Sequence, residues 1–95
     1  MVAQVKPKFS IGHVVATPGA LQALEAASQS PDEFLTRHVT GDWGEVTADD
    51  AQANEDALQC DARLVSAYHT AKGTKLWVIT EADRGSTCLL LPEEY

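Results

Sequence analysis

The sequence predicts an α+β domain: a short N-terminal strand and two to three short helices packed on a C-terminal three-stranded antiparallel meander. Helix-start signals come early, at Thr17-Pro18, Ser30-Pro31 and Thr47. Beyond Arg63, apolar and β-branched residues run in three short stretches separated by turn residues. Helices first and a meander after is the pattern in which helices cover one face of an antiparallel sheet. The 95 residues suffice for one domain, since compact units usually run to about 100–150. Residues 1–8, with Lys6-Pro7-Lys8, read as a flexible N-terminus, and 9–95 as the domain.

The first strand is expected in Phe9–Ala16, where Val14 and Val15 are β-branched. Thr17-Pro18-Gly19-Ala20 ends it and starts a helix. A threonine hydroxyl can accept from an orphan helix N–H, and proline at the first position has no N–H to lose. Leu21, Leu24 and Ala27 then line one face to about Ser28. Ser30-Pro31-Asp32-Glu33 signals a second helix through a Ser30/Glu33 capping box and two acids at its positive end. Phe34, Leu35, His38 and Val39 form its apolar side before Thr40-Gly41 stops it. A third helix runs from Thr47 to about Leu58, with Ala51, Asn54, Ala57 and Leu58 inward. Asn54 is expected to tie this helix to the loop at Gly41–Gly44, because a buried amide needs partners.

The meander strands are Arg63–His69, Thr74–Thr80 and Thr87–Leu91, turning at Thr70–Gly73 and Asp83–Ser86. The Phe9–Ala16 strand is expected at an edge of their sheet. On the middle strand Leu76 and Val78 oppose Trp77 and Ile79; on the last, Leu89 and Leu91 oppose Cys88 and Leu90. A sheet with one wet face alternates apolar and polar residues. These strands do not, so the second face needs a cover, either the N-terminal segment or another copy of the chain. Burying Trp77 and Ile79 there contributes on the order of 3–6 kcal/mol, enough to help hold a homodimer.

Composition narrows the function. An apolar fraction of 44% beside a charged fraction of 22% excludes a disordered chain. No apolar run approaches the roughly 20 residues that span a bilayer, and Met1–Ser10 lacks the apolar core of a signal peptide. A cytoplasmic location is the expectation, with Cys60 and Cys88 as free thiols. Net charge is −7, and between Asp42 and Asp61 there is no Lys or Arg among seven acids. That segment argues against nucleic acid, which is bound by neutralising phosphates, and against an anionic membrane. It suits docking to a basic protein surface or mimicry of DNA; the structural alternative is a solvated helix face with acids near its N-terminus.

Two groups of residues could carry chemistry. His38 lies four residues before Asp42 and could pair with it as acid and base, and Trp43 would give the loop a flat apolar surface. The structural alternative has Trp43 in the core and Asp42 capping the turn. The second group is Glu81, Asp83 and Arg84, which could take a metal or an anion, although a metal wants several convergent ligands. Adjacent strand–turn residues diverge, so Asp83 folding onto the turn backbone and Arg84 bridging to Glu81 or the acidic segment is the structural alternative. Ser66 and Tyr68 share a face of their strand while His69 points away, and no G-x-S-x-G turn exists to expose a nucleophile. No metal or cofactor is implied. Glu93-Glu94-Tyr95 reads as a docking tail or as strand-end packing.

Thr17-Pro18-Gly19-Ala20-Leu21, Arg37-His38, Gly41-Asp42-Trp43-Gly44, Asn54 with Ala57-Leu58, Ser66 with Tyr68, Trp77–Arg84 and Leu90–Tyr95 together carry a resemblance. On these residues the chain, from about Phe9 to Tyr95, resembles a small bacterial family often labelled plasmid-related proteins and sometimes labelled a type I restriction–modification subunit. The resemblance implies a passenger of plasmids and integrated elements, with no particular activity. Methyl transfer is excluded, because neither a glycine-rich cofactor loop nor an Asn/Asp-Pro-Pro-aromatic motif is present. Gln59-Cys60-Asp61-Ala62 departs from the glycine-containing turn that the resemblance implies. The expectation is therefore a non-enzymatic accessory module that binds a protein through Asp42–Asp61 and Trp43. The alternative is a small hydrolase or small-ligand binder using His38, Asp42 and Arg84.

Overall fold

The computed structural model describes residues 6–95; of the expected flexible segment 1–8, residues 1–5 lie outside the described residues. The chain runs through β1 (His13–Ala16), α1 (Pro18–Ala26), α2 (Pro31–Val39), α3 (Ala48–Cys60), β2 (Leu64–His69), β3 (Lys75–Thr80), β4 (Ser86–Leu90) and a 3₁₀ turn at Pro92–Glu94. The fold is α+β. β2, β3 and β4 form the antiparallel meander, and β1 joins the edge beside β4 in parallel, giving the order β1-β4-β3-β2. β1 is shorter than Phe9–Ala16 because Gly12 sits at φ 62° against Gly85, where a Cβ would come within 2.3 Å of a carbonyl oxygen.

All three helices start at the sequence signals, with Thr17, Ser30 and Thr47 as N-caps, but the side-chain cap bond forms in only two. Thr17 and Thr47 accept through their hydroxyls from the amides of Ala20 and Asp50. The Ser30/Glu33 capping box is not formed: Ser30 makes no side-chain cap bond, and Glu33 accepts from Gln29 instead. α3 ends at Asp61, which takes the left-handed conformation at φ 52°. Glycine usually holds that position, and aspartate is among the few side chains that tolerate it.

Strand alternation places Ser66, Tyr68, Leu76, Val78, Thr80, Thr87 and Leu89 on one face. Ala20 and Leu24 of α1 and Phe34 and Leu35 of α2 pack there against Tyr68, Leu76, Val78 and Leu89. A second cluster of Trp43, Ala57 and Leu64 joins α3 to the end of the sheet, with Phe9 against it. The opposite face carries Val65, Ala67, Trp77, Ile79, Cys88 and Leu90. Phe9 does not cover that face, because it packs against His38 and Trp43 on the helix side. Tyr95 does: its ring meets that of Trp77 edge-on at 5.8 Å, and its hydroxyl accepts from Arg63.

The two sheet edges differ. The outer edge of β2 is closed by a parallel bridge, in which Glu45 donates to the Ala67 carbonyl and the Ala67 amide to Trp43. One step along, Asn54 of α3 donates to the Val65 carbonyl at 2.8 Å and accepts from its amide at 3.0 Å. Asn54 thus acts as a surrogate strand residue, and does not bond the Gly41–Gly44 loop as the sequence suggested. Gly44 is required here, since a Cβ would lie 2.0 Å from the Ala67 oxygen. Replacing Asn54 by Ala leaves two buried main-chain groups unpaired and is expected to cost about 2–4 kcal/mol by denaturant unfolding. The exposed neighbour Gln52→Ala is expected to change stability by less than about 0.5 kcal/mol.

Candidate functional site

His38 is fully buried. α2 directs it at the sheet, where Nδ1 lies 2.6 Å from Ser66 Oγ and Nε2 2.9 Å from Thr80 Oγ1. Thr80 Oγ1 is 2.6 Å from Thr87 Oγ1, and Thr87 donates to the Ile11 carbonyl at 2.8 Å. That carbonyl can only accept, which fixes the direction as far as His38 Nε2, and the neutral state that burial imposes makes Nδ1 an acceptor. Thr87 gives its proton to Ile11, Thr80 donates to Thr87, and His38 donates to Thr80 from Nε2. Nδ1 then accepts from Ser66. The imidazole is neutral in this arrangement, and burial pushes its pKa down to about 4. Phe9 and Trp43 pack edge-on against the ring. The result is a sealed structural histidine.

Asp42 does not pair with His38. Its carboxylate takes Arg37 Nε at 2.7 Å and the Gly44 amide at 3.1 Å, and Arg37 holds it below the usual carboxylate range. Arg37 also lies over the Tyr68 ring, whose hydroxyl donates to the Asp42 carbonyl at 2.6 Å. Trp43 is 6% exposed and donates to Glu55 at 2.8 Å, so its ring belongs to the core.

The second sequence-predicted group also separates. Glu81 pairs with Arg63 at 3.1 Å. Asp83 accepts from the Gly85 amide at 2.8 Å and shapes the turn, beside a broad open depression over Glu81–Ser86. Arg84 makes no bridge to the Glu81 carboxylate or to the acidic segment. From a left-handed backbone at φ 61° it donates to the carbonyls of Ala57 and Ala62, and to that of Glu81. It sits at the C-terminal end of α3, where the helix dipole favours a cation, and ties that end to the β3–β4 turn. His38, Asp42, Glu81 and Arg84 therefore do not converge in one pocket. Among the described residues no group of three or more His, Cys, Asp or Glu side chains is placed to hold a metal.

A different concavity lies between α3 and the second sheet face. Its floor is Val65 and Trp77, its walls are Val46 and Ala53, and Asp50 and Arg63 stand at its rim, enclosing about 320 Å³. It continues past Ala67 to Glu45 and Lys75, a further 190 Å³ or so. The cleft arises because Asn54 holds α3 beside the edge of β2 rather than above the sheet. The sequence had marked Trp77 as an apolar residue in want of a cover, but the placement of α3 beside it depends on the contacts of Asn54 and Arg84, which sequence spacing does not reveal. Asp49, Asp50 and Asp56 are exposed along the same helix, and Glu45 follows at the end of the cleft. No protein-family model, curated protein or solved structure matches the chain.

The His38 chain sets a pH dependence. The unfolded imidazole has a pKa near 6.5 and the folded one is about 4, so the unfolded chain takes up the proton first. The stabilisation is fully present above about pH 6.5 and is lost as pH falls towards 4. Denaturant unfolding at pH 7 and pH 4.5 is expected to differ by about 2–3 kcal/mol for the native chain from this group. His38→Asn, although less stable at pH 7, is expected to lose most of that difference; equal slopes in the two proteins would contradict the assignment.

Proposed function

We propose that the protein is a non-enzymatic interaction module that binds a basic segment of another protein, seating an apolar side chain in the cleft over Trp77 and Val65. The observation that supports this is the cleft itself: an apolar floor with carboxylates on the α3 side. Apolar burial supplies affinity, and the acids supply orientation and partner choice. Asp42–Asp61 stays in this reading as the acidic side of the contact, with Asp42 half exposed on its loop. The aromatic of the contact becomes Trp77, since Trp43 is in the core. The resemblance to plasmid-related proteins supplies a setting, an accessory protein of a mobile element acting in the cytoplasm. The hydrolase reading loses its support, because His38, Asp42 and Arg84 each serve a separate structural duty.

The test uses two peptide sets with a central Leu or Tyr, one flanked by Lys and Arg, the other by Asp and Glu, followed by amide and indole NMR shifts. The basic set is expected to shift the Trp77 indole N–H and the Val65 and Asp50 amides, and to weaken as salt rises. Asp50→Lys is expected to reduce affinity about fivefold or more, the equivalent of roughly 1 kcal/mol. Shifts with the acidic set alone, or none at these residues with either set, would contradict the proposal.

A further inference from the structure

We infer that β1 is a self-association edge, and that two copies of this chain join β1 to β1 about a two-fold axis to make one eight-stranded sheet.

The parallel pairing with β4 decides which groups are free. His13 donates to Gly85 and Thr17 to Leu89 at 3.0 Å, so the main-chain groups of His13, Val15 and Thr17 are turned towards β4. In a strand the intervening residues point their N–H and C=O the other way. Val14 and Ala16 thus present two donors and two acceptors on the outer edge. A two-fold axis through Val15 sets Val14 opposite Ala16 of the second copy and Ala16 opposite its Val14. Each such pair exchanges two hydrogen bonds, four in all, and the two Val15 side chains meet on the second sheet face as a non-hydrogen-bonded pair.

Three further observations point to a second copy as the occupant. Val14, Val15 and Leu21 are 43%, 51% and 50% exposed, and Tyr95 is the only other large apolar residue so exposed among those described. All three lie on β1 or in the first turn of the helix that leaves it. From Phe9 to Leu24 there is no Asp, Glu, Lys or Arg, in a chain of net charge −7. Across a two-fold axis every charge meets its own sign, so this uncharged stretch is where an acidic chain can approach itself without repulsion. Finally, the β2 edge is closed by Asn54 and by the Trp43–Glu45 bridge, whereas β1 carries none of the charge, proline or bulge that usually blocks an exposed edge.

The test combines mass and cross-linking. Sedimentation of the native chain from low micromolar to millimolar concentration is expected to show a reversible rise towards twice the chain mass. Val15→Lys sets two ammonium groups against each other on the axis and is expected to stay monomeric over the same range, with an unchanged circular dichroism spectrum. In a Cys60→Ser, Cys88→Ala background, Val15→Cys places the two thiols on residues whose Cα atoms are about 4.5 Å apart, within disulfide reach. It is expected to cross-link on oxidation at least tenfold faster than Val14→Cys, whose Cα atoms lie farther apart. A native chain that is monomeric throughout overturns the inference. So does a dimer that Val15→Lys leaves intact, or equal cross-linking by the two cysteine variants.

Discussion

A buried imidazole with two hydroxyl partners is the constraint on which the rest of this structure depends. His38 is the point where α2 meets β2 through Ser66 and β3 through Thr80, and the chain continues through Thr87 of β4 to Ile11 ahead of β1. Three strands, a helix and the segment leading into β1 are referenced to one line of hydrogen bonds. Each polar atom along it would be costly to bury alone, at about 1–3 kcal/mol; together none of the buried side-chain nitrogen or oxygen atoms described lacks a partner. Such a line specifies register, because a one-residue slip of β3 would turn Thr80 to the other face and set Ile79 or Glu81 in its place. It also fixes where Phe9 and Trp43 pack, and so the position of the loop that leads to α3.

The placement of α3 follows from two polar contacts at its two ends of influence. Asn54 bonds the Val65 main chain, and Arg84 reaches from the β3–β4 turn to the carbonyls of Ala57 and of Ala62 just past the helix. The inner face of α3 is thin in apolar residues, with Asn54 and Ala57 alone fully buried, so packing by itself would hold it weakly. Standing beside the sheet instead of over it, the helix seals one edge and leaves the cleft above Trp77. The same economy leaves the second sheet face with Tyr95 as its principal described cover, and leaves β1 without a partner on its outer edge among the described residues.

Much of the fold was legible in local chemistry. Thr17-Pro18 and Thr47 marked helix starts that the structure keeps, and the turns at Thr70–Gly73 and Asp83–Ser86 delimited the meander. Ser30-Pro31 also marked its helix start, but the capping box did not form, because it needs a side-chain geometry that sequence spacing does not guarantee, and Gln29 competes for Glu33. Asp61 could not be read as a left-handed cap, since that conformation is normally signalled by glycine. The roles of the prominent polar residues were legible only as lists of alternatives. His38 and Asp42 are four apart and look like a pair, yet the partners that claim His38 are 28 and 42 positions away. Arg84 stands near Glu81 in sequence, but its guanidinium reaches back to Ala57. Long-range partners of this kind leave no periodic trace, and the cleft that they create is equally silent.

The central claim is that His38 is a neutral, Nε2-protonated structural group and not an acid–base catalyst. Its most direct measurement is the ¹⁵N chemical shifts of the His38 imidazole followed from pH 8 to pH 5 by long-range NMR correlation. The account predicts a protonated Nε2 and an unprotonated Nδ1 throughout that range, with no midpoint inside it. A midpoint near the ordinary histidine value of about 6.5, or a proton resident on Nδ1, would contradict it and return His38 to the list of groups able to do chemistry.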